Sequence, residues 1–99
     1  MLIERTVTVA SRSGLHARPA ALFVKAATAQ PVRIRLRVGD GPAADARSIL
    51  AVLALRVDHG ATVTLSADDA DTDDGAADRA LEALADLLAR DLDAEPVEG

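Results

Sequence analysis

Thr6-Val7-Thr8-Val9 alternates polar and apolar residues, the period of a strand with one buried face. The period returns more strongly in Val32-Arg33-Ile34-Arg35-Leu36-Arg37-Val38, which puts four apolar residues on one face and three arginines on the other. Thr62-Val63-Thr64-Leu65-Ser66 carries it a third time. Elsewhere the spacing is helical. Ala20, Phe23, Val24 and Ala27 fall at i, i+3, i+4 and i+7 within 17–30, and Pro31 ends that helix. Ser48 can cap a short apolar helix from Ile49 to Leu55. Leu81, Leu84, Leu88 and Leu92 form the stripe of a last helix from about Asp74 to Arg90. Gly39-Asp40-Gly41-Pro42 is a turn by composition, so a hairpin partner is expected around Ala43 to Ala46.

The predicted order is strand, helix, strand, strand, helix, strand, helix. Strands with one polar and one apolar face fit an antiparallel sheet open to water on one side. The three helices then cover the other side, giving an α+β, two-layer open-faced sandwich. Residues 1–91 of the 99 read as one domain, and 92–99 as an acidic, flexible tail. On this layout the arginine row is a solvated sheet face.

Composition removes several functions. The absence of cysteine excludes disulfides and thiolate chemistry, and one Phe with no Trp or Tyr leaves the core to aliphatic residues. No segment approaches a membrane span and Met1 to Ala10 does not read as a signal peptide, so a soluble cytoplasmic protein is expected; it is also expected to be a monomer. The net charge of −5 divides into +6 over residues 1–57 and −11 over 58–99. Such a division implies one basic and one acidic surface, and a basic surface near a site favours an anionic ligand or acidic partner. Nucleic acid fits poorly, with negative total charge and no aromatic residues for stacking. The run Asp69 to Gly75 looks like a calcium loop, but its glycine is one place late and Ala80 stands where the closing Glu belongs. His59 has no neighbouring His or Cys and reads as a turn residue. Neither metal nor cofactor is expected.

The local rules conflict in Ser13-Gly14-Leu15-His16-Ala17-Arg18-Pro19-Ala20. Pro19 is tolerated only in the first turn of a helix, which puts His16 at or near the N-cap, where histidine is a poor structural choice. The same position suits phosphate. The N–H groups of Ala17 and Arg18 have no acceptor within the helix, and the dipole adds partial positive charge. Arg18 can hold two phosphate oxygens at once. One short segment therefore offers a nucleophile, an anion cradle and a charge clamp.

Gly14-Leu15-His16-Ala17-Arg18-Pro19-Ala20 resembles the active-site motif of HPr, the phosphocarrier of the phosphoenolpyruvate-dependent sugar phosphotransferase system. The resemblance continues through Arg47-Ser48-Ile49-Leu50, Gly60 to Ala67 and the last helix, nearly the whole chain. It implies a four-stranded antiparallel sheet with three helices on one face. It implies that His16 is phosphorylated on Nδ1, with Arg18 stabilising the phosphoryl group, and that Ser13 lies beside the site. The implied partners are enzyme I as donor and a sugar-specific enzyme IIA as acceptor, with the protein a covalent intermediate rather than a stand-alone enzyme. Ser48 matches the serine that some members phosphorylate through a kinase, although an N-cap alone suffices to explain it. The short helix is apolar all round, which suggests an exposed patch, and the family's use of it points to Ile49, Leu50 and Leu53 as docking residues. Burial of the extra residues under a loop is the alternative. Arg56 stands where the family has a small residue or glycine, and Thr28 where it often has a basic one; both bear on docking.

A free-standing hydrolase is the rival reading, but no carboxylate, second histidine or metal set is placed by sequence to activate water. A regulatory or nitrogen-branch relative acting by protein binding is the other. The intact His16 and Arg18 argue against a purely regulatory role, because the regulatory relative that lacks transfer has lost the histidine.

Overall fold

In the computed structural model, which describes residues 2–68 and 75–92, the chain runs β1 (Leu2–Thr8), α1 (Ala17–Thr28), β2 (Arg35–Val38), β3 (Ala44–Asp45), α2 (Ile49–Ala54), β4 (Thr62–Asp68) and α3 (Ala76–Leu88). The strands form one antiparallel sheet in the order β1-β4-β2-β3. The expected α+β open-faced sandwich is therefore the one observed.

Register explains which residues point inward. Val7 lies opposite Val63 and Ile3 opposite Ala67, while Leu36 lies opposite both Leu65 and Ala44. These inner residues meet Phe23 and Ala27 of α1, Val52 of α2, and Ala80, Leu81, Leu84 and Leu88 of α3 in one core. Phe23 is wholly buried, and each side chain of this size contributes about 1.5–3 kcal/mol when removed from water. The outer face carries Thr6 opposite Thr64 and Arg35 opposite both Ser66 and Asp45, polar pairs that tolerate water.

Several boundaries differ from the sequence expectation, three of them for a reason the structure shows. β2 starts at Arg35 rather than Val32, although Val32 and Ile34 are buried as the alternation requires. The hairpin partner β3 is only two residues long, so the first part of the run has no ladder; Ile34 is held by one bond from the Ala46 N–H at 3.0 Å. Arg33 and Arg35 are exposed, but Arg37 is half-buried because its guanidinium reaches across β4 to Glu4 at 2.9 Å. β1 begins at Leu2, earlier than the alternation shows, because Arg5 interrupts the apolar face of an edge strand and pairs there with Asp78 of α3. α3 begins at Ala76; Asp69 to Asp74, with the calcium-like run, lie outside the described residues.

Leu92, which the sequence puts both in the apolar stripe of the last helix and at the start of the tail, is fully buried as the stripe requires, and the Ser11 hydroxyl accepts its N–H at 2.8 Å. Residues 93–99 lie outside the described residues.

Candidate functional site

The loop from Val9 to Leu15 is fixed by its neighbours before it reaches His16. The Val9 N–H donates to Ala61 and the Gly60 N–H returns to Val9, both at 2.9 Å, extending the β1–β4 pairing into the loop. Ser11 is buried, and its Oγ donates to the Arg90 carbonyl at 3.4 Å besides accepting from Leu92. Arg12 contacts Asp91 through its backbone N–H and its Nε. Gly14 then turns with φ +66°, and its N–H closes onto the Ser11 carbonyl at 2.9 Å. A β-carbon at Gly14 would lie 2.1 Å from the Val57 carbonyl oxygen, so this close approach needs glycine. Leu15 is fully buried, with its N–H on that same carbonyl at 2.9 Å.

His16 follows as the N-cap of α1, in an extended conformation with φ −124° and ψ 159°. Its ring makes no capping hydrogen bond, and its side chain is 40% exposed. The imidazole is thus at the position the sequence indicated, without a structural task there. Ala17 and Arg18 open the helix, and Pro19 is the third helical residue, where its missing N–H costs no helical bond. Arg18 is partly buried beside the histidine in sequence, and Ser13 is exposed on the approach loop. A nucleophile at the positive end of a 12-residue helix can receive an anionic group that the first-turn N–H groups also bind.

One neighbour was not visible from sequence. Asp58, from the turn after α2, places Oδ1 3.8 Å from His16 Nε2. In the sequence Asp58-His59-Gly60 is a turn by composition; 42 residues separate the two side chains, and only the folded chain joins them. His59 bonds through Nδ1 to the Ser11 carbonyl at 3.1 Å, which agrees with a turn role.

Alongside α1 packs α2. Ser48 is its N-cap, its Oγ accepting the Ala51 N–H at 3.2 Å. Val52 faces the core, Leu53 is half-buried, Ile49 is 37% exposed and Leu50 78% exposed. The apolar excess of this helix thus lies at the surface. Arg47 ties α2 to the end of α1 through the Gln30 carbonyl at 2.8 Å. Arg56 adopts φ +53°, the left-handed conformation in which the residue after a helix is commonly glycine. Thr28 is exposed, its hydroxyl donating to the Val24 carbonyl at 2.8 Å.

On the opposite face of the sheet, Leu2, Arg33, Arg35, Ser66, Ala67 and Asp68 line a shallow depression that includes no residue of the His16 segment. Among the described residues, no group of three or more His, Cys, Asp or Glu could hold a metal, and no helix is long and apolar enough to cross a membrane.

Residues 3–90 match the family model described as the PTS HPr component phosphorylation site. The phosphocarrier protein HPr of Streptomyces coelicolor is 44% identical over 95 residues, covering 96% of this chain and 97% of that one. Among solved structures, HPr of Bacillus anthracis superposes with a TM-score of 0.77 at 34% identity, over 88% of this chain and 96% of that one. Crh, the catabolite repression HPr of Bacillus subtilis, superposes with a TM-score of 0.62 at 34% identity, over 91% of this chain and all of the other. Family match, relatives and fold agree over nearly the whole length, and the chain belongs to the HPr family of phosphocarrier proteins.

Proposed function

We propose that this protein accepts a phosphoryl group on His16 Nδ1 from phosphorylated enzyme I and passes it to an enzyme IIA in sugar uptake. The observation that carries the reading is His16 itself: an N-cap histidine without a capping bond, partly exposed, directly followed by Arg18 at the start of α1. The imidazole supplies the nucleophile. The N–H groups of Ala17 and Arg18 and the Arg18 guanidinium stabilise the phosphoryl oxygens. The fixed loop from Ser11 to Leu15, with Ser13 on its surface, presents the ring without rearrangement of the core. In this scheme the phosphoryl group is carried rather than hydrolysed, by a monomer working in the cytoplasm.

Ile49, Leu50 and Leu53 form the docking surface for both partners, on a helix packed against the one that bears the histidine. Ser48, at the head of that helix, is a cap that a serine kinase could also use; a phosphate there would bring negative charge to the edge of the docking surface. The likeness to Crh supports a second reading, a regulator that acts by binding. The same experiment separates the two. Incubation with phosphoenolpyruvate and enzyme I should yield an acid-labile, base-stable phosphate on the wild type and none on His16→Ala. Arg18→Ala should be slowed but not silent, since the backbone donors remain. His16→Ala should keep wild-type stability within about 0.5 kcal/mol, because no hydrogen bond of the cap is lost. A phosphate on His16→Ala, or none on the wild type, would end the proposal.

A further inference from the structure

We propose that Asp58 is a positioning residue for His16: its carboxylate holds the Nε2 side of the ring, leaving Nδ1 as the reacting nitrogen. The inference rests on the phosphocarrier reading above and extends it to a residue outside the motif.

The backbone of Asp58 is anchored on both sides. Val57 is buried and its carbonyl takes the Leu15 N–H at 2.9 Å; the Asp58 carbonyl takes the Ala61 N–H at 3.0 Å. Gly14 packs so closely that a β-carbon there would lie 2.8 Å from Asp58 Cα. Asp58 is thus held against the segment that leads into His16, while its own side chain is 87% exposed. The 3.8 Å between Nε2 and Oδ1 is longer than a hydrogen bond, so the contact in this structure is electrostatic.

Chemistry gives the contact a direction. A carboxylate only accepts hydrogen bonds, so beside a neutral imidazole it favours the tautomer with the proton on Nε2 and the lone pair on Nδ1. That lone pair forms the bond to phosphorus. The donor's bond to phosphorus breaks, and its electron pair leaves with the donor. The ring then carries the phosphoryl group on Nδ1, the proton on Nε2 and a positive charge facing Asp58. In onward transfer the acceptor bonds to phosphorus, the N–P electron pair returns to Nδ1, and neutral imidazole leaves with its Nε2 proton in place. Without that proton the leaving group would be imidazolate, a far poorer one. Because water reaches both groups, the preference is modest, about two- to fivefold.

The test is the ¹⁵N spectrum of the neutral His16 ring, assigned by its absence from His16→Ala. Asp58→Ala should lower the ratio of Nε2–H to Nδ1–H tautomer about two- to fivefold, and Asp58→Glu should restore it. At about 1 M salt, where the Debye length is roughly 3 Å, the difference should shrink, which a packing role would not produce. An unchanged tautomer ratio in Asp58→Ala at low salt would overturn the proposal. The spectrum is read on the unphosphorylated protein, so it decides the role of Asp58 even if the wild type takes no phosphoryl group from enzyme I.

Discussion

Two residues in left-handed conformations flank the histidine's supports, and they have opposite costs. Gly14 at φ +66° is pressed against the Val57 carbonyl, so Gly14→Ala meets both an unfavourable dihedral and a backbone overlap. It should destabilise the protein by about 2–4 kcal/mol in urea unfolding and displace His16 with it. Arg56 at φ +53° holds the same kind of conformation with a β-carbon, a strain glycine would not feel. Arg56→Gly should therefore raise stability by about 0.5–1 kcal/mol, part of the gain being lost to the freer unfolded chain. A fall in the urea midpoint of Arg56→Gly would show that the arginine side chain outweighs the strain. The residue that sequence flagged as a departure from its family is thus also an unusual one in backbone terms.

At the scale of elements, α2 carries its cap and the proposed docking residues within a few positions of each other. Ser48→Ala removes the bond to the Ala51 N–H and should cost about 1 kcal/mol. Leu50 is too exposed to matter for the core, so Leu50→Asp should leave the urea midpoint nearly unchanged. It should instead raise the carrier concentration at which enzyme I is half-saturated, with much of the rate recovered at saturation. An unchanged half-saturation point would remove the docking role. The elements legible in the sequence were those with enough turns of one period, α1, α3, β4 and the arginine-bearing β2, together with α2, which its Ser48 cap and apolar run marked out. β3 was legible only as the sequel to a turn, since two residues carry no period, and residues 32–34 stay outside β2 because so short a partner leaves them no ladder. β1 was under-read because Arg5 faces inward at the sheet edge and finds Asp78, a pairing that depends on where α3 lies. The His16 segment stood out because a poor cap sat in a good anion site. Asp58 and Ser11 did not, because their contacts join distant parts of the chain and leave no local pattern.

Across the whole molecule, the approach loop to His16 is held by the far end of the chain. Ser11 binds the Arg90 carbonyl and the Leu92 N–H, and the Leu92 side chain is fully buried. A chain ended after Leu92 should keep these contacts, whereas one ended after Arg90 loses the buried leucine and leaves the Ser11 hydroxyl short of its donor. The difference between the two truncations should be about 2–4 kcal/mol in urea unfolding. Equal stabilities would show that the loop does not rely on the chain after α3.

The strand order β1-β4-β2-β3 also bears on how the protein comes into being. Contacts of β1 with β4 span from 54 residues, Thr8 to Thr62, up to 66, Leu2 to Asp68. During synthesis the first strand leaves the ribosome long before its partner exists, and α1 emerges with no completed sheet to cover. Sheet closure then comes late, and pairing over such separations slows folding through the loop-closure entropy it must overcome. His16 lies on the segment that joins β1 to α1, so its approach loop takes its final shape only once β4 and the end of α3 are in place. A nascent or partly folded chain would already contain the histidine but lack the setting that makes it a carrier.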